Sequence, residues 1–346
     1  MKNNAAFMTG IKKMEIREVP MPVPKDDEVV VKMEYIGICG SDVHFFEEGK
    51  LGDFEIKGDF ILGHECGGSV VEVGKGVKNL KVGDKVALEP GKTCWQCEFC
   101  KGGKYNLCPE VEFLAAPPCQ GAFSNYIAFP ESLSFKLPDN VNTKEGALVE
   151  PLAVGIHAAK QGGVTLGSSV VILGAGCIGL MTLLACKAFG AADITIVDIV
   201  PKKLECAKKL GATRVINALE TDVIAEVNRL TNGAGVGIVF ESAGTVKTVQ
   251  QTIDLVKSGG TIVLVGMTPQ GIMEYNFGRL LGKEAQIQTV FRYRNIYPDA
   301  IAAISSGFIN VSEIVTHEFD FADIAKAFEF VINNKNDVVK AVIRIC

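Results

Sequence analysis

The sequence lacks the features that would place it on nucleic acid or on a membrane surface. Basic residues are not in excess, since 35 Lys and Arg stand against 40 Asp and Glu, for a formal net charge of −5. A general binder of nucleic acid or anionic lipid is therefore excluded. The N-terminal MKNNAAFMTGIKKM has no apolar core of signal-peptide length, and the chain has no internal repeat or low-complexity tract.

A long uninterrupted hydrophobic run is also missing. Residues 161–186 carry no charge, and a membrane-spanning helix takes about 20 apolar residues. Six glycines interrupt this stretch, at positions 162, 163, 167, 174, 176 and 179. A buried strand followed directly by a buried helix fits it better, so we expect no membrane span.

Cysteine is plentiful, but the eleven cysteines show no paired framework of the kind that secreted proteins carry, and we expect a cytoplasmic protein. Four of them lie close together, as Cys94, Cys97, Cys100 and Cys108. Four thiols so close can surround one Zn²⁺ at sulfur distances of about 2.3 Å, with no coordination position left for water or substrate. The spacing therefore predicts one structural zinc; disulfides or unrelated core thiols are the alternative.

The pattern of apolar residues changes along the chain. Short β-rich runs such as 28–35 fill the first part, and no helical periodicity appears before about Thr143. From Ser168 strands and helices alternate, for example strand 169–173, helix 178–189 and strand 194–198. The sequence thus predicts an α/β protein, with a β-rich part and an open, doubly wound parallel sheet.

A nucleotide fingerprint opens the α/β part. Gly174-Ala-Gly176-Cys-Ile178-Gly179 is a GxGxxG placed directly after a predicted strand and at the start of a predicted helix. Its glycines suit a tight turn, close backbone approach to a pyrophosphate and helix–strand packing.

The cofactor expected at this fingerprint is NAD. Asp198 ends the next strand, where it can accept hydrogen bonds from an adenosine ribose and would repel a 2′-phosphate, so NAD is favoured over NADP. Lys203 can reach the same ribose. The alternative for Asp198 is a helix cap before Pro201.

Several motifs, taken in order, resemble one family over essentially the whole chain. GICGSDVH, LGHECGGSVVEVG, VGDKVALEP, the cysteine cluster, EPLAVGIHA, GAGCIG and FRYRN are similar to motifs of the zinc-dependent medium-chain dehydrogenases. The glutamate in EPLAVGIHA, where simple alcohol dehydrogenases place a cysteine, resembles the polyol branch, typified by sorbitol (L-iditol 2-) dehydrogenases. The resemblance implies a GroES-like catalytic domain (1–152 and 292–346), a Rossmann domain (153–291) and a homotetramer.

Residue by residue, the resemblance implies a second, catalytic zinc. Cys39 and His64 become direct ligands, and Glu65 or Glu150 completes the shell directly or through water. A zinc-bound water polarised by Glu150 would be one proton acceptor, while Ser41 and His44 offer a second route to solvent.

The same resemblance implies the substrate contacts. Arg292 and Tyr293 would contact substrate hydroxyls or the Glu150 network, and Phe113 would line the substrate cleft. Phe45 stands where sorbitol dehydrogenases usually carry tyrosine, so one hydrogen bond to substrate is expected to be missing.

The expected activity is zinc- and NAD-dependent oxidation of sorbitol, and also of xylitol or L-iditol, to the ketose. One alternative is another zinc dehydrogenase, acting on threonine, butanediol or a polyol phosphate. Arg292, Arg294 and Lys57 are available cations for a phosphate. A second alternative is a redox sensor without turnover, although an open metal site is then superfluous.

Overall fold

The computed structural model describes residues 2–268 and 271–346, and the chain divides into two compact units. The first consists of Met1–Glu150 with Tyr297–Cys346, and the second of Pro151–Ile296. The predicted boundaries lay after residues 152 and 291. The structure groups residues 292–296 with the second unit, and the domain boundaries of the sequence analysis stay a prediction.

The N-terminal part of the first unit is β-rich. Its strands are β1 (Asn3–Gly10), β2 (Lys13–Val19), β3 (Glu28–Ile38), β4 (Lys50–Leu51), β5 (Phe54–Glu55), β6 (Phe60–Ile61), β7 (Glu65–Val73), β8 (Lys85–Leu88), β9 (Gly91–Lys92), β10 (Glu112–Phe113), β11 (Tyr126–Pro130) and β12 (Ser134–Lys136). Its helices are α1 (Gly40–Glu48), α2 (Glu98–Lys101) and α3 (Thr143–Ala147).

Helix α1 corrects the expectation that no helix precedes Thr143. Its apolar residues Val43, Phe45 and Phe46 are too few to give a helical period, so the sequence reads as a loop. The residues that bound the helix are the better signal. Asp42 lies in the first turn, and Gly49 ends the helix in the left-handed conformation at φ 72°.

The second unit contains the predicted parallel sheet. Its elements are α4 (Val149–Gly162, whose first two residues precede the division), β13 (Ser169–Leu173), α5 (Cys177–Ala188), β14 (Asp193–Asp198), α6 (Pro201–Leu210), β15 (Arg214–Asn217), α7 (Val223–Leu230), β16 (Val236–Glu241), α8 (Val246–Leu255), β17 (Val256–Leu264), α9 (Phe277–Lys283) and β18 (Gln286–Thr289). All neighbouring strands pair in parallel, in the order β15-β14-β13-β16-β17-β18. This is the doubly wound dinucleotide-binding order, with its switch point between β13 and β16, and it confirms the predicted fold class.

The C-terminal segment completes the first unit. It adds α10 (Tyr297–Ser305), β19 (Val315–Asp320), α11 (Ile324–Asn333) and β20 (Lys340–Arg344). The main sheet runs β12-β8-β7-β3-β20-β19, with β11 also paired to β3. Strand β20 pairs antiparallel with the end of β3, with Ala341 opposite Ile38. The last strand of the chain thereby reaches the segment that precedes Cys39.

Each unit has its own apolar core. Phe46, Phe123 and Phe328 are among the side chains packed in the first. Val171, Val239 and Ile262 belong to the core of the second. Over the part of the chain that the structure describes, no helix combines the length and apolar character needed to cross a bilayer.

Candidate active site

Cys39, His64 and Glu65 come together in the first unit. Cys39 follows β3 and precedes α1, while His64 immediately precedes Glu65 at the start of β7. The Cys39 Sγ atom, a ring nitrogen of His64 and a carboxylate oxygen of Glu65 all lie within 4.8 Å of one another. The segments that carry Cys39 and Glu65 come together because β3 and β7 pair antiparallel, with Gly37 opposite Glu65.

The three side chains fit a metal ion by their chemistry. Thiolate, imidazole and carboxylate are the donors that Zn²⁺ prefers, and three protein ligands leave a fourth position open. Among the described residues, His64 Nδ1 and Glu65 Oε2 are buried without a hydrogen-bond partner, which a bound cation would satisfy. Gly37 is required here, because a Cβ at this position would lie 1.8 Å from Glu65 Oε2.

The local field favours a positive charge at this place. Burial lowers the pKa of His64, but the charges of Asp42 and Cys39 outweigh burial and raise it well above the usual value. Burial also raises the pKa of the adjacent Cys66 thiol, and the carboxylates of Glu65, Asp42 and Glu150 raise it further. A metal cation would occupy the same field that favours a protonated imidazole.

Asp42 ties the ligand segments together, and the sequence analysis did not select it. Its carboxylate accepts 3.0 Å hydrogen bonds from the backbone N–H groups of Cys39 and Gly63, and Oδ1 lies 3.6 Å from His64 Nδ1. The side chain is fully buried. Its position three residues after Cys39, in the first turn of α1, is the sequence signal that could have found it.

Lys340 is the second residue that the sequence analysis missed. Its Nζ donates a 2.7 Å hydrogen bond to Glu65 Oε1 and a 2.9 Å bond to the carbonyl oxygen of Ile38. One ammonium group on β20 therefore contacts both segments that carry the candidate ligands. No local pattern indicates this role, since it depends on the pairing of β20 with β3.

Glu150 is buried in the first turn of α4 but is not part of the group of mutually close ligand atoms. Its charge acts on the nearby Cys66 thiol. The described geometry therefore brings Glu65, rather than Glu150, next to Cys39 and His64.

The other predicted site residues of the first unit lie on α1 or, in the case of Phe113, on β10. Ser41 and His44 are on α1, three residues apart and hence on one helix face, with His44 exposed. Phe45 is in the apolar core of the unit. Phe113 is partly exposed, and its ring centroid lies 5.6 Å from that of His64.

Arg292 and Tyr293 lie in the second unit. Arg292 has a left-handed backbone at φ 56°, and its guanidinium lies 4.7 Å from the centroid of the Phe291 ring. Tyr293 is almost fully buried. A non-glycine residue in this conformation costs about 1–3 kcal/mol and often marks a functional position.

The four-cysteine lobe has the geometry of a closed metal site. The sulfur atoms of Cys94, Cys97, Cys100 and Cys108 all lie within 4.8 Å of one another. Two of the separations are 3.5 Å (Cys94 to Cys108) and 4.0 Å (Cys94 to Cys100), close to the ~3.8 Å edge of a tetrahedron with ~2.3 Å Zn–S bonds. No disulfide joins Cys94, Cys97, Cys100 or Cys108, so the disulfide alternative fails for the lobe.

Backbone N–H groups prepare the lobe for thiolates. Those of Gln96 and Cys97 each lie 3.4 Å from Cys94 Sγ and lower the pKa of Cys94 to about 7. Burial instead raises the pKa of Cys100 to about 11. Full ionisation of the four thiols therefore needs a cation, and metal binding here releases protons.

The glycine loop joins β13 to α5 in the second unit. Gly174 has φ 106°, and a Cβ on Gly179 would lie 2.0 Å from the Gly174 carbonyl oxygen. Around Gly176 the space is open, as close approach of a pyrophosphate requires. Ile178 is partly exposed in the first turn of α5, whose free N–H groups suit phosphate.

Asp198 lies at the end of β14 and contacts the glycine loop. Its Oδ2 accepts a 2.7 Å hydrogen bond from Ala175 N–H, and Oδ1 accepts bonds of 2.7 and 2.9 Å from Ile199 and Val200. A carboxylate has about four acceptor sites, so capacity for a ribose hydroxyl remains. Lys203 follows in the first turn of α6 and is partly exposed.

Comparison with known proteins agrees with both units. Residues 25–139 match the family described as alcohol dehydrogenase GroES-like domain, and residues 177–306 match zinc-binding dehydrogenase. An uncharacterised zinc-type alcohol dehydrogenase-like protein of Escherichia coli K12 is 50% identical over 100% of this chain and 99% of its own length. A sorbitol dehydrogenase of Bacillus subtilis is 41% identical, over 98% of this chain and 96% of its own.

Solved structures give the same picture. An oxidoreductase/dehydrogenase of E. coli, described as of unknown specificity and involved in membrane biogenesis, has a TM-score of 0.97 at 50% identity over 100% of both chains. A zinc-binding dehydrogenase of Sinorhizobium meliloti bound to NADP (29% identical, 100% of both chains) and an E. coli CFT073 dehydrogenase with NADH (27%, 99% of both) each have a TM-score of 0.92. The comparisons confirm the predicted cofactor chemistry of zinc and a nicotinamide dinucleotide.

Proposed function

This chain belongs to the zinc-binding alcohol dehydrogenase family, and we propose that within it the protein oxidises a polyol such as sorbitol, xylitol or L-iditol at a secondary hydroxyl, with NAD as the acceptor. The observation that carries the proposal is the group formed by Cys39, His64 and Glu65, in which a carboxylate stands beside the thiolate and imidazole donors. Sequence relatives at 41–42% identity, named sorbitol dehydrogenase, support the substrate class.

Cys39, His64 and Glu65 would hold the catalytic zinc, which supplies a Lewis acid that lowers the pKa of a substrate hydroxyl. Asp42 orients the loops that carry Cys39 and His64, through its bonds to the backbone at Cys39 and Gly63. The buried Glu150, which stands where simple alcohol dehydrogenases place a cysteine, makes the surroundings of this group harder and more polar than a thiolate would, and this suits a substrate with adjacent hydroxyls.

Two groups of residues would handle the proton released from the substrate hydroxyl. Ser41 and His44 occupy one face of α1, and His44 is exposed, so a proton passed to Ser41 Oγ can leave through the His44 ring. The alternative acceptor is a water beside Glu150. The buried Glu150 carboxylate acts on the Cys66 thiol, two residues after the candidate ligand His64.

Substrate recognition is proposed for Phe113, Arg292 and Tyr293. For Phe113 the support is the contact of its ring with the ring of His64. For Arg292 and Tyr293 the support is their likeness to the polyol branch and the left-handed backbone of Arg292. Phe45 has no hydroxyl and is part of the core, so it offers shape but no hydrogen bond.

The preference for NAD follows from Asp198. Its carboxylate is fixed by three backbone N–H groups at the end of β14, and a 2′-phosphate there would meet its negative charge. Lys203, in the next helix, carries a positive charge that would weaken the preference for NAD over NADP.

We further propose a homotetramer that works in the cytoplasm. Strand β18 is an edge of the described six-stranded sheet, and Ile272, Phe277 and Leu281 of the same unit are strongly exposed apolar residues. Exposed sheet edges and strongly exposed apolar side chains of this kind are commonly covered by a second copy. Light scattering of purified protein tests this, and a monomer at micromolar concentration would contradict it.

The substrate is tested by following NADH formation from sorbitol, xylitol, L-iditol, L-idonate, galactitol 1-phosphate, 2,3-butanediol, threonine and ethanol. L-Idonate belongs in the panel because an L-idonate 5-dehydrogenase of Vitis vinifera is 41% identical to this chain. We expect kcat/KM for sorbitol or xylitol to exceed that for ethanol by at least about 100-fold, since hydroxyl-binding sites reject analogues that lack the hydroxyl. Turnover of threonine or butanediol with inert polyols would overturn the substrate class while leaving the family intact.

A further inference from the structure

Glu241 lies fully buried at the carboxyl end of β16, beside the switch point of the parallel sheet. The metal group of the first unit does not include it, and the fingerprint at Gly174 does not explain it. A buried carboxyl group is costly unless it is well hydrogen-bonded. The hydrogen bonds of the Glu241 side chain and main chain therefore indicate its role.

The Glu241 side chain holds the turn that follows β16. Its Oε1 accepts hydrogen bonds from Ala243 N–H at 3.0 Å, Gly244 N–H at 2.9 Å and the Thr248 hydroxyl at 2.8 Å. The first two fix the turn, and the third fixes the start of α8. One oxygen atom thus bonds both the turn at Ala243 and Gly244 and the start of α8 at Thr248.

The Glu241 main chain holds the turn that follows β17. Its carbonyl oxygen accepts 2.9 Å hydrogen bonds from the N–H groups of both Val265 and Gly266. The same residue therefore organises two neighbouring turns at the carboxyl edge of the sheet.

These turns pack against each other and against the glycine loop without room for a side chain. A Cβ on Gly266 would lie 2.5 Å from Gly244 N and 2.8 Å from Glu241 Oε2. A Cβ on Gly174 would lie 2.9 Å from Ala243 N. Displacement of the Glu241 carboxylate should therefore move the turns after β16 and β17 together.

The second oxygen of the Glu241 carboxylate is buried without a hydrogen bond. Glu241 Oε2 has no hydrogen-bond partner among residues 2–268 and 271–346. Burial accordingly raises the pKa of Glu241, and the bonds to Oε1 only partly offset this. A buried carboxyl group with an unpartnered oxygen at the carboxyl edge of the sheet is a candidate for a functional role.

We infer that Glu241 is a positioning residue for the nicotinamide half of the dinucleotide. In a doubly wound sheet the cofactor crosses the switch point at the carboxyl ends of the strands. Asp198, at the end of β14, marks the adenosine side, so the turns after β16 and β17 flank the opposite half. The inference rests on the dinucleotide use in the proposed function and is independent of which polyol is oxidised.

The test measures the binding of two probes to zinc-loaded protein. NADH would span the whole dinucleotide site, and its binding is followed by fluorescence. AMP would fill only the adenosine side, and its binding is followed by calorimetry. Glu241→Ala removes three hydrogen bonds, so we expect the Kd for NADH to rise by about tenfold or more and that for AMP to stay within about twofold. Glu241→Gln keeps an acceptor in the Oε1 position, and we expect it to recover most of the NADH affinity.

Two further variants keep the test sharp. Gly266→Ala drives the same turns apart sterically and should also weaken NADH but not AMP. Asp198→Asn is the matched control at the other end of the crevice, and it should weaken both probes. Unchanged NADH binding by Glu241→Ala and Gly266→Ala, or parallel loss of NADH and AMP, would overturn the inference. Wild-type protein that binds NADH but oxidises no polyol would overturn only the substrate proposal.

Discussion

Lys340 and Glu65 form a buried ion pair, with Nζ and Oε1 2.7 Å apart and side chains only 3% and 1% exposed. Lys340 comes from the last strand of the chain, whereas Glu65 opens β7 beside His64. Because the ammonium also bonds the Ile38 carbonyl oxygen, it fixes the carboxylate relative to Cys39. One Glu65 oxygen is thereby engaged, and the other has no hydrogen-bond partner among the described residues.

Replacement of Lys340 by methionine should destabilise the protein strongly. Breaking a buried ion pair leaves an uncompensated charge, and we expect a loss of about 3–5 kcal/mol in the free energy of unfolding. Urea unfolding of metal-free protein measures it. The double variant Lys340→Met with Glu65→Gln should regain part of this loss, because neither charge of the ion pair remains. Equal stability of Lys340→Met and wild type would contradict the pairing.

Replacement of Asp198 by alanine should relax the preference for NAD. Removal of the carboxylate takes away the ribose acceptor and the repulsion of a 2′-phosphate. We expect the ratio of kcat/KM for NAD over NADP to fall by at least about tenfold, equivalent to about 1.4 kcal/mol. Steady-state kinetics with both cofactors measure this ratio, and Asp193→Ala, at the start of the same strand, is the control that should leave it unchanged. If the ratio stays constant in Asp198→Ala, another residue decides the cofactor.

Loss of one thiol of the cysteine lobe should cost stability rather than chemistry. Cys97→Ser removes one of the four sulfur ligands, so the lobe should lose its zinc and the melting temperature should fall. Metal analysis and calorimetry measure the two effects, with Cys206→Ser, outside both metal groups, as the control. A variant that keeps a full complement of zinc would show that the lobe does not hold the ion.

Glu89 should make the protein less stable as the pH rises towards neutrality. Burial raises the pKa of Glu89 from 4.5 to about 7, although the Tyr105 hydroxyl donates it a 2.7 Å hydrogen bond. The folded protein therefore keeps a proton that the unfolded chain releases between these pH values. The free energy of unfolding should fall across this window by up to about 3 kcal/mol.

Glu89→Gln removes the titrating group and should flatten this part of the pH dependence. Urea unfolding of the variant and of wild type at about pH 5 and pH 7.5 gives the comparison, and the difference between the two proteins cancels the titration of the cysteine ligands. Parallel pH dependence of the two proteins would exclude Glu89 as its source.

Much of the candidate site could be predicted from motifs because its residues are adjacent in the chain or follow elements with strong periodicity. His64 and Glu65 are neighbours, and the Gly174 fingerprint lies between an apolar strand and an apolar helix. The doubly wound sheet followed from the same alternation of strands and helices.

The contacts that hold the site together could not be predicted in this way. Lys340 lies 275 residues from Glu65, and only the register of β20 against β3 brings them together. Glu241 gives no local signal either, since its role depends on the packing of turns after two different strands. Helix α1 was missed because its few apolar residues do not repeat over enough turns.

The most direct test of the account is the dependence of sorbitol oxidation on zinc at Cys39. Wild-type protein should contain about two zinc ions per chain and form NADH from sorbitol, whereas Cys39→Ser should keep about one, in the cysteine lobe, and lose at least about 1,000-fold in kcat while still binding NADH. Full sorbitol oxidation by metal-free protein, or by Cys39→Ser with a single zinc, would contradict the account.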